Sequence, residues 1–168
     1  MDKFKKYAST LVFIIIISLF VVMRGPTFYN NWKWEGETLP ELKVFNYKTN
    51  SEEVLFLEKQ KFVVLFWASW CGPCMIEFSR YKKSILDKKI PQDSVYAINP
   101  FETSESIIQF MKKEDYPFQF VADQGVLARK LDIRMTPTSI LVKNQKIEKM
   151  DSGISPLGVT SAESLFTN

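Results

Sequence analysis

Apolar residues fall along this chain in three rhythms. The first is an unbroken run, Tyr7–Met23 (YASTLVFIIIISLFVVM), with no charge between Lys6 and Arg24. Its 17 residues would span about 26 Å as a helix, close to the ~30 Å of a bilayer's hydrocarbon core. Phe13 to Phe20 is apolar all round except for Ser18, which does not fit a core helix with one polar face. The second rhythm is a short continuous run, Phe62–Ala68 (FVVLFWA), the pattern of a strand buried on both faces. The third is a three- and four-residue step: Met75, Phe78, Tyr81 and Ile85 predict a helix from Pro73 to about Asp87, with Pro73 suited to a first turn.

The same alternation continues downstream. Val95–Ile98 reads as a strand and Ser104–Lys113 as a helix with Ile107, Ile108 and Met111 on one face, ended by Pro117. A short strand Phe118–Val121 and a short helix Gln124–Leu131 come next. Strand Ser139–Val142 is expected to pair with Lys146–Lys149 across Asn144-Gln145, a turn without the usual glycine. Thr160 with Glu163 resembles a capping box before a final helix. Strand–helix–strand units closing in a hairpin predict an α/β sandwich, a central mixed sheet flanked by helices, with its active groups at the carboxyl end of a central strand.

Three regions follow: a signal anchor or transmembrane helix over 1–25, a polar, aromatic-dotted tether over 26–38, and one domain over 39–168. No A-x-A-like site follows Met23, so the anchor is expected to stay uncleaved. Lys3, Lys5 and Lys6 place the N-terminus in the cytoplasm and the domain outside, in a single-pass arrangement where a disulfide can persist. Tyr29, Trp32 and Trp34 are candidates for the membrane interface.

Charge removes other classes. The formal charge is +3, but Lys3, Lys5, Lys6 and Arg24 flank the anchor with only Asp2 beside them, leaving 18 basic and 18 acidic residues elsewhere. A balanced domain gives no electrostatic case for nucleic acid. There is no histidine, which excludes a Ser-His or Cys-His pair and any His-ligated metal.

The two cysteines stand three apart in Trp70-Cys71-Gly72-Pro73-Cys74, where the buried strand turns into a helix. A sulfur at a helix N-terminus meets unpaired N–H groups and the positive end of the macrodipole, which favour the thiolate. Cys71 is therefore the expected nucleophile and Cys74, a turn later, the resolving thiol. A purely structural disulfide would close too small a loop to stabilise much. A zinc or iron–sulfur site would need further ligands. No cofactor or metal is expected.

With FVVLFWASWCGPC and the later TPTSILV, the chain resembles the thioredoxin superfamily. The N-terminal anchor with Cys74-Met75-Ile76-Glu77 resembles its extracytoplasmic TlpA/ResA-type branch. The resemblance covers about residues 36–155 and implies a thioredoxin-like three-layer sandwich. It implies that Pro137 is a cis-proline facing the dithiol, with Thr136 offering backbone to an extended substrate. It also implies that Glu77 relays protons to the resolving thiol. Trp70, Gly72, Pro73, Thr136 and Pro137 form the expected substrate-binding set, and Trp67 is expected in the core. Leu65 stands where many relatives carry Asp or Asn, and Ser79 where a helix proline is common.

The expected function is a membrane-anchored thiol–disulfide oxidoreductase, monomeric, that reduces exported proteins, such as those of cytochrome c maturation, with electrons from a membrane dithiol donor. Three alternatives share these residues: a disulfide-forming oxidase or isomerase, a non-catalytic module binding through Trp70 and the Pro137 groove, and a metallochaperone.

Overall fold

The computed structural model describes residues 2–39, 41–55 and 59–167. Helix α1 (Asp2–Trp34) leads into strands β1 (Leu42–Asn46), β2 (Ser51–Leu55) and β3 (Lys61–Phe66). After helix α2 (Gly72–Leu86) come β4 (Val95–Ile98), α3 (Ser104–Lys113), β5 (Gln119–Ala122) and α4 (Val126–Lys130). Strands β6 (Thr138–Lys143) and β7 (Lys146–Ser152) and helix α5 (Gly158–Thr167) complete the chain.

The seven strands form one mixed sheet in the order β2-β1-β5-β4-β3-β6-β7. β3 lies parallel to β4 and antiparallel to β6, with Phe66 opposite Thr138. Because β3 is buried on both faces, its side chains divide between two cores. Val63, Leu65 and Trp67 pack under α2, α3 and α5, while Phe62, Val64 and Phe66 pack toward α4 and Trp34. This is the expected three-layer sandwich, and the run FVVLFWA is its centre.

Several boundaries differ from the sequence reading for physical reasons. β1 and β2 were not expected: each is only five residues long, and β2 is mostly polar. They pair as a hairpin added to β5. Thr160 lies inside α5, which starts two residues earlier at Gly158, so no capping box forms. Glu163 instead accepts a hydrogen bond from Ser84 Oγ at 2.6 Å, tying α5 to α2. The glycine-free hairpin closes with both Asn144 (φ 50°) and Gln145 (φ 65°) left-handed.

The stretch 26–38 also departs from an irregular tether. α1 continues through Pro26 to Trp34 and docks on the domain. Asn30 Nδ2 donates to Leu131 O at 2.9 Å, Asn31 Oδ1 accepts from Ser152 Oγ at 3.0 Å, and Glu35 Oε1 accepts from Met150 N at 3.3 Å. Gly36 N–H then donates to Ile147 O, and Ile147 N–H to Glu37 O. Polar side chains hold most of this segment, so no apolar period announces it. Trp34 is packed against the α4-side core and bonded to Asn30, not free for a membrane interface, while Tyr29 and Trp32 are exposed.

Candidate functional site

β3 reaches its carboxyl end among hydrophobic neighbours, and Trp67 N–H extends the pairing to Ile98 O. Trp67 is fully buried against Phe78, Phe110 and Phe120, which anchors the root of the next loop. Cys71 N–H bonds Ala68 O, and Cys71 then stands in extended conformation as the N-cap of α2. Its Sγ accepts the Cys74 backbone N–H at 3.2 Å, the bond that a capping oxygen makes elsewhere. Proline fits the first turn because its missing N–H is one of the orphan donors there.

Cys71 and Cys74 form a disulfide with their Cα atoms 5.3 Å apart. Cys71 is 5% exposed and Cys74 wholly buried, so a partner sulfur has access to Cys71 first. Trp70 is 71% exposed beside them. The Thr136–Pro137 peptide is cis. Since Thr138 pairs with Phe66 at the exit of β3, Thr136 and Pro137 lie at the same sheet edge as Trp70, Gly72 and Pro73. Thr138 Oγ1 donates to Met135 O at 2.8 Å, and Pro137 O accepts from Gly153 N–H at 2.7 Å, so the loop is held on both sides.

Glu77 lies on the inner face of α2, 2% exposed, with Oε2 accepting Arg80 Nη1 at 2.7 Å. Burial raises its carboxyl pKa above the ordinary range, Arg80 partly offsets this by charge and hydrogen bond, and the carboxylate of Asp151 adds to the rise. Arg80 also bonds Ser155 O and Pro156 O, fastening the loop before α5. Leu65 sits in the core cluster that contains both cysteines, so a hydrocarbon side chain lies beneath the dithiol. Ser79 Oγ donates back to Met75 O at 2.8 Å.

A second carboxylate escaped the sequence reading. Glu102, in the loop after β4, accepts from Ser69 N (2.6 Å), Ser69 Oγ (2.5 Å) and Asn99 Nδ2 (2.5 Å). Asn99 Oδ1 in turn receives the N–H groups of Phe101 and Glu102. Ser69 directly precedes Trp70, so this network fixes the entry to the CxxC turn. Burial opposes the charge of Glu102, but the bonds from Ser69 and Asn99 outweigh it and hold the pKa below the ordinary value. The Asn99-x-x-Glu102 spacing at a strand end was the available signal, but its partner Ser69 is 33 residues from Glu102. Arg80 was more accessible, being three residues from Glu77 on a helix.

Residues 36–150 match the AhpC/TSA family. The thiol-disulfide oxidoreductase ResA of Halalkalibacterium halodurans is 27% identical over 161 residues, 91% of this chain and 90% of that protein. The sporulation thiol-disulfide oxidoreductase A of Bacillus subtilis is 33% identical over 122 residues, 68% of this chain and 72% of that protein. Among solved structures, StoA from Bacillus subtilis superposes with a TM-score of 0.62 at 23% identity, covering 76% of this chain and 96% of that one. With a thioredoxin-like sheet and a Cys71–Cys74 pair capping α2, the chain belongs to the AhpC/TSA family as a thiol–disulfide oxidoreductase of the ResA/StoA type.

Proposed function

We propose that this chain is a membrane-anchored, outward-facing reductase of disulfides in exported proteins, with α1 as its membrane span. The observation that carries the reading is Cys71 as the N-cap of α2 at the same end of the sheet as the cis Thr136–Pro137 bond, a sulfur poised for thiolate chemistry where an extended segment can lie. The apolar residues from Leu11 to Met23, exposed along α1, support the anchor.

In the proposed cycle the reduced pair carries two electrons. The Cys71 thiolate attacks a substrate disulfide, forming a mixed disulfide and releasing one substrate thiolate, which takes up a proton. Cys74, deprotonated with Glu77 as the relay, attacks Cys71 Sγ. The mixed disulfide breaks, the second substrate thiol leaves, and the Cys71–Cys74 disulfide remains. A membrane dithiol donor then returns two electrons and two protons. Trp70, Gly72 and Pro73 present the surface, while Thr136 and Pro137 receive the substrate backbone. Exported proteins bearing a CxxC pair, such as apocytochromes c, are the substrate class proposed, and the protein acts as a monomer.

The Gly72-Pro73 dipeptide between the cysteines favours the reducing direction, as the resemblance to reducing thioredoxins implies. The test is the reduction potential of the Cys71–Cys74 couple in the full chain, equilibrated against glutathione and dithiothreitol. A value near about −250 mV or lower is expected. A value above about −180 mV would overturn the reductase in favour of disulfide formation or isomerisation.

A further inference from the structure

The docking of α1 gives the domain a fixed attitude. Walking backward from the end of α1 means moving along β7 from its start to its end. Gly36 and Glu37 bond Ile147, Glu35 bonds Met150, and Asn31 bonds Ser152. One turn earlier, Thr27 and Asn30 line a crevice of about 10 Å³ with Ile133, Arg134, Met135 and Met150. That volume is at the lower limit for one water, so the junction is packed shut. Arg134 and Met135 run directly into the Thr136–Pro137 bond.

Two consequences follow from this path. The start of β7 marks the sheet edge remote from the dithiol, and its end marks the edge where Phe66, Thr138 and Ser152 meet. α1 therefore runs along the sandwich from the remote edge to the dithiol edge and leaves the domain there. Second, its apolar run ends at Met23, four residues before Thr27, a rise of about 6 Å. The bilayer surface thus begins about one helical turn beyond the cis-proline loop.

We infer that the dithiol edge faces the membrane, and that the partner is a membrane-bound protein presenting its disulfide at the level of the lipid headgroups. The inference rests on the reading of α1 as a membrane span. A flexible tether would let Cys71 sample any height above the bilayer; the bonds of Asn30, Asn31 and Glu35 and the pairing of residues 36–38 with β7 fix the end of α1 on the domain, and the helix continues from there through Pro26 to the apolar run. A disulfide carried close to the lipid surface meets the Cys71 sulfur without reorientation of the domain. Exposed Trp70 and Phe101 project from this edge and Tyr29 from the adjoining helix, aromatic groups suited to a headgroup environment.

The test uses the full chain with Cys71→Ser and Cys74→Ser, reconstituted in phosphatidylcholine vesicles that carry an acceptor dye on their headgroups. A donor dye is attached to a single cysteine: Phe101→Cys on the dithiol edge or Gln60→Cys on the remote edge, both exposed positions. Ile154→Cys, exposed beyond the end of β7, provides a second dithiol-edge label should the first disturb folding. The seven residues of β7 separate the edges by about 20 Å, so energy transfer from 101 or 154 should exceed that from 60 several-fold. Protein that fails to float with the vesicles would overturn the membrane span and this inference together. Flotation with equal transfer, or with more from 60, would overturn this inference and leave the anchor standing. For the partner, the native chain should reduce a lipid-anchored peptide disulfide at the headgroups several times faster than one raised on a rigid polyproline spacer. Equal rates, or the reverse, would overturn the membrane-level partner.

Discussion

Arg80 Nη1 lies 2.7 Å from one carboxylate oxygen of Glu77, while the other, Oε1, is buried with no hydrogen-bond donor among the described residues. Half of this carboxylate is thus paired and half is stranded, three residues from Cys74. A group in that condition holds a proton more readily than a surface glutamate, which is what a relay between a thiol and its surroundings needs.

The pH dependence of Glu77 has a definite sign. Its folded pKa lies above the ordinary 4.5, so the folded state keeps the proton longer than the unfolded chain. The associated stability is present below that ordinary value and is lost as pH rises through the folded pKa. Wild type should therefore lose urea stability relative to Glu77→Gln across that rise. In the reduced enzyme Glu77→Gln should also lower the thiol pKa values, since a nearby negative charge has been removed. Iodoacetamide alkylation rates against pH would measure it, and unchanged thiol pKa values would remove Glu77 from the relay.

Arg80→Ala leaves the buried Glu77 carboxylate without its partner and frees the Ser155–Pro156 loop. A loss of about 2–4 kcal/mol in urea unfolding is expected, below the full cost of breaking a buried pair because Arg80 is partly exposed. Adding Glu77→Gln should recover part of the loss, since the orphaned charge is then gone. Additive losses would show that the charge pair is not the source.

Glu102 behaves in the opposite sense to Glu77. Its folded pKa lies below the ordinary 4.5, so its contribution is present above that value and disappears as pH falls through the folded pKa. Glu102→Gln should lower stability at pH 7, and the deficit should shrink as pH falls below 4.5 and through the folded pKa. It should also loosen the Ser69–Trp70 entry and slow insulin-disulfide reduction. A stability difference that does not shrink on acidification would contradict this account.

The β6–β7 hairpin offers a gain. Gln145 is left-handed at φ 65°, which costs an L-residue about 1 kcal/mol. Gln145→Gly would give the turn its favoured Asn-Gly pair, and thermal unfolding should show a stabilisation of about 0.5–1 kcal/mol. The bond from Leu39 N–H to the carbonyl of residue 145 involves backbone only and survives the change.

The legible parts of this protein were those in which local pattern and tertiary role coincide. Phe62–Ala68 had to be a central strand because its apolar run is continuous, and Met75, Phe78, Tyr81 and Ile85 had to share a face. The cysteine pair was visible because its spacing and its place at a strand-to-helix junction reinforce each other. The cis state of Pro137 came only with the family resemblance, since an X-Pro bond read by itself permits either isomer. Contacts between distant polar residues stayed hidden. Ser69 with Glu102, Ser84 with Glu163, and Asn30 with Leu131 leave no period in the sequence, and the docked end of α1 depends largely on such bonds. The β1–β2 hairpin was missed because its strands are only five residues long and β2 is mostly polar, with Glu52 and Glu53 side by side.

The outermost strands have one further consequence. β2 and β7 end the sheet on either side. β2 carries Glu52 and Glu53, a pair of charges that discourages another chain from zipping onto it. β7 is partly occupied by residues 36–38 through Ile147 and the Thr38–Lys146 bridge. Neither flank invites an incoming peptide to become an eighth strand. The fold thereby protects the chain against sheet-to-sheet aggregation, and under the proposed function it leaves an end-on approach to Pro137 for the substrate.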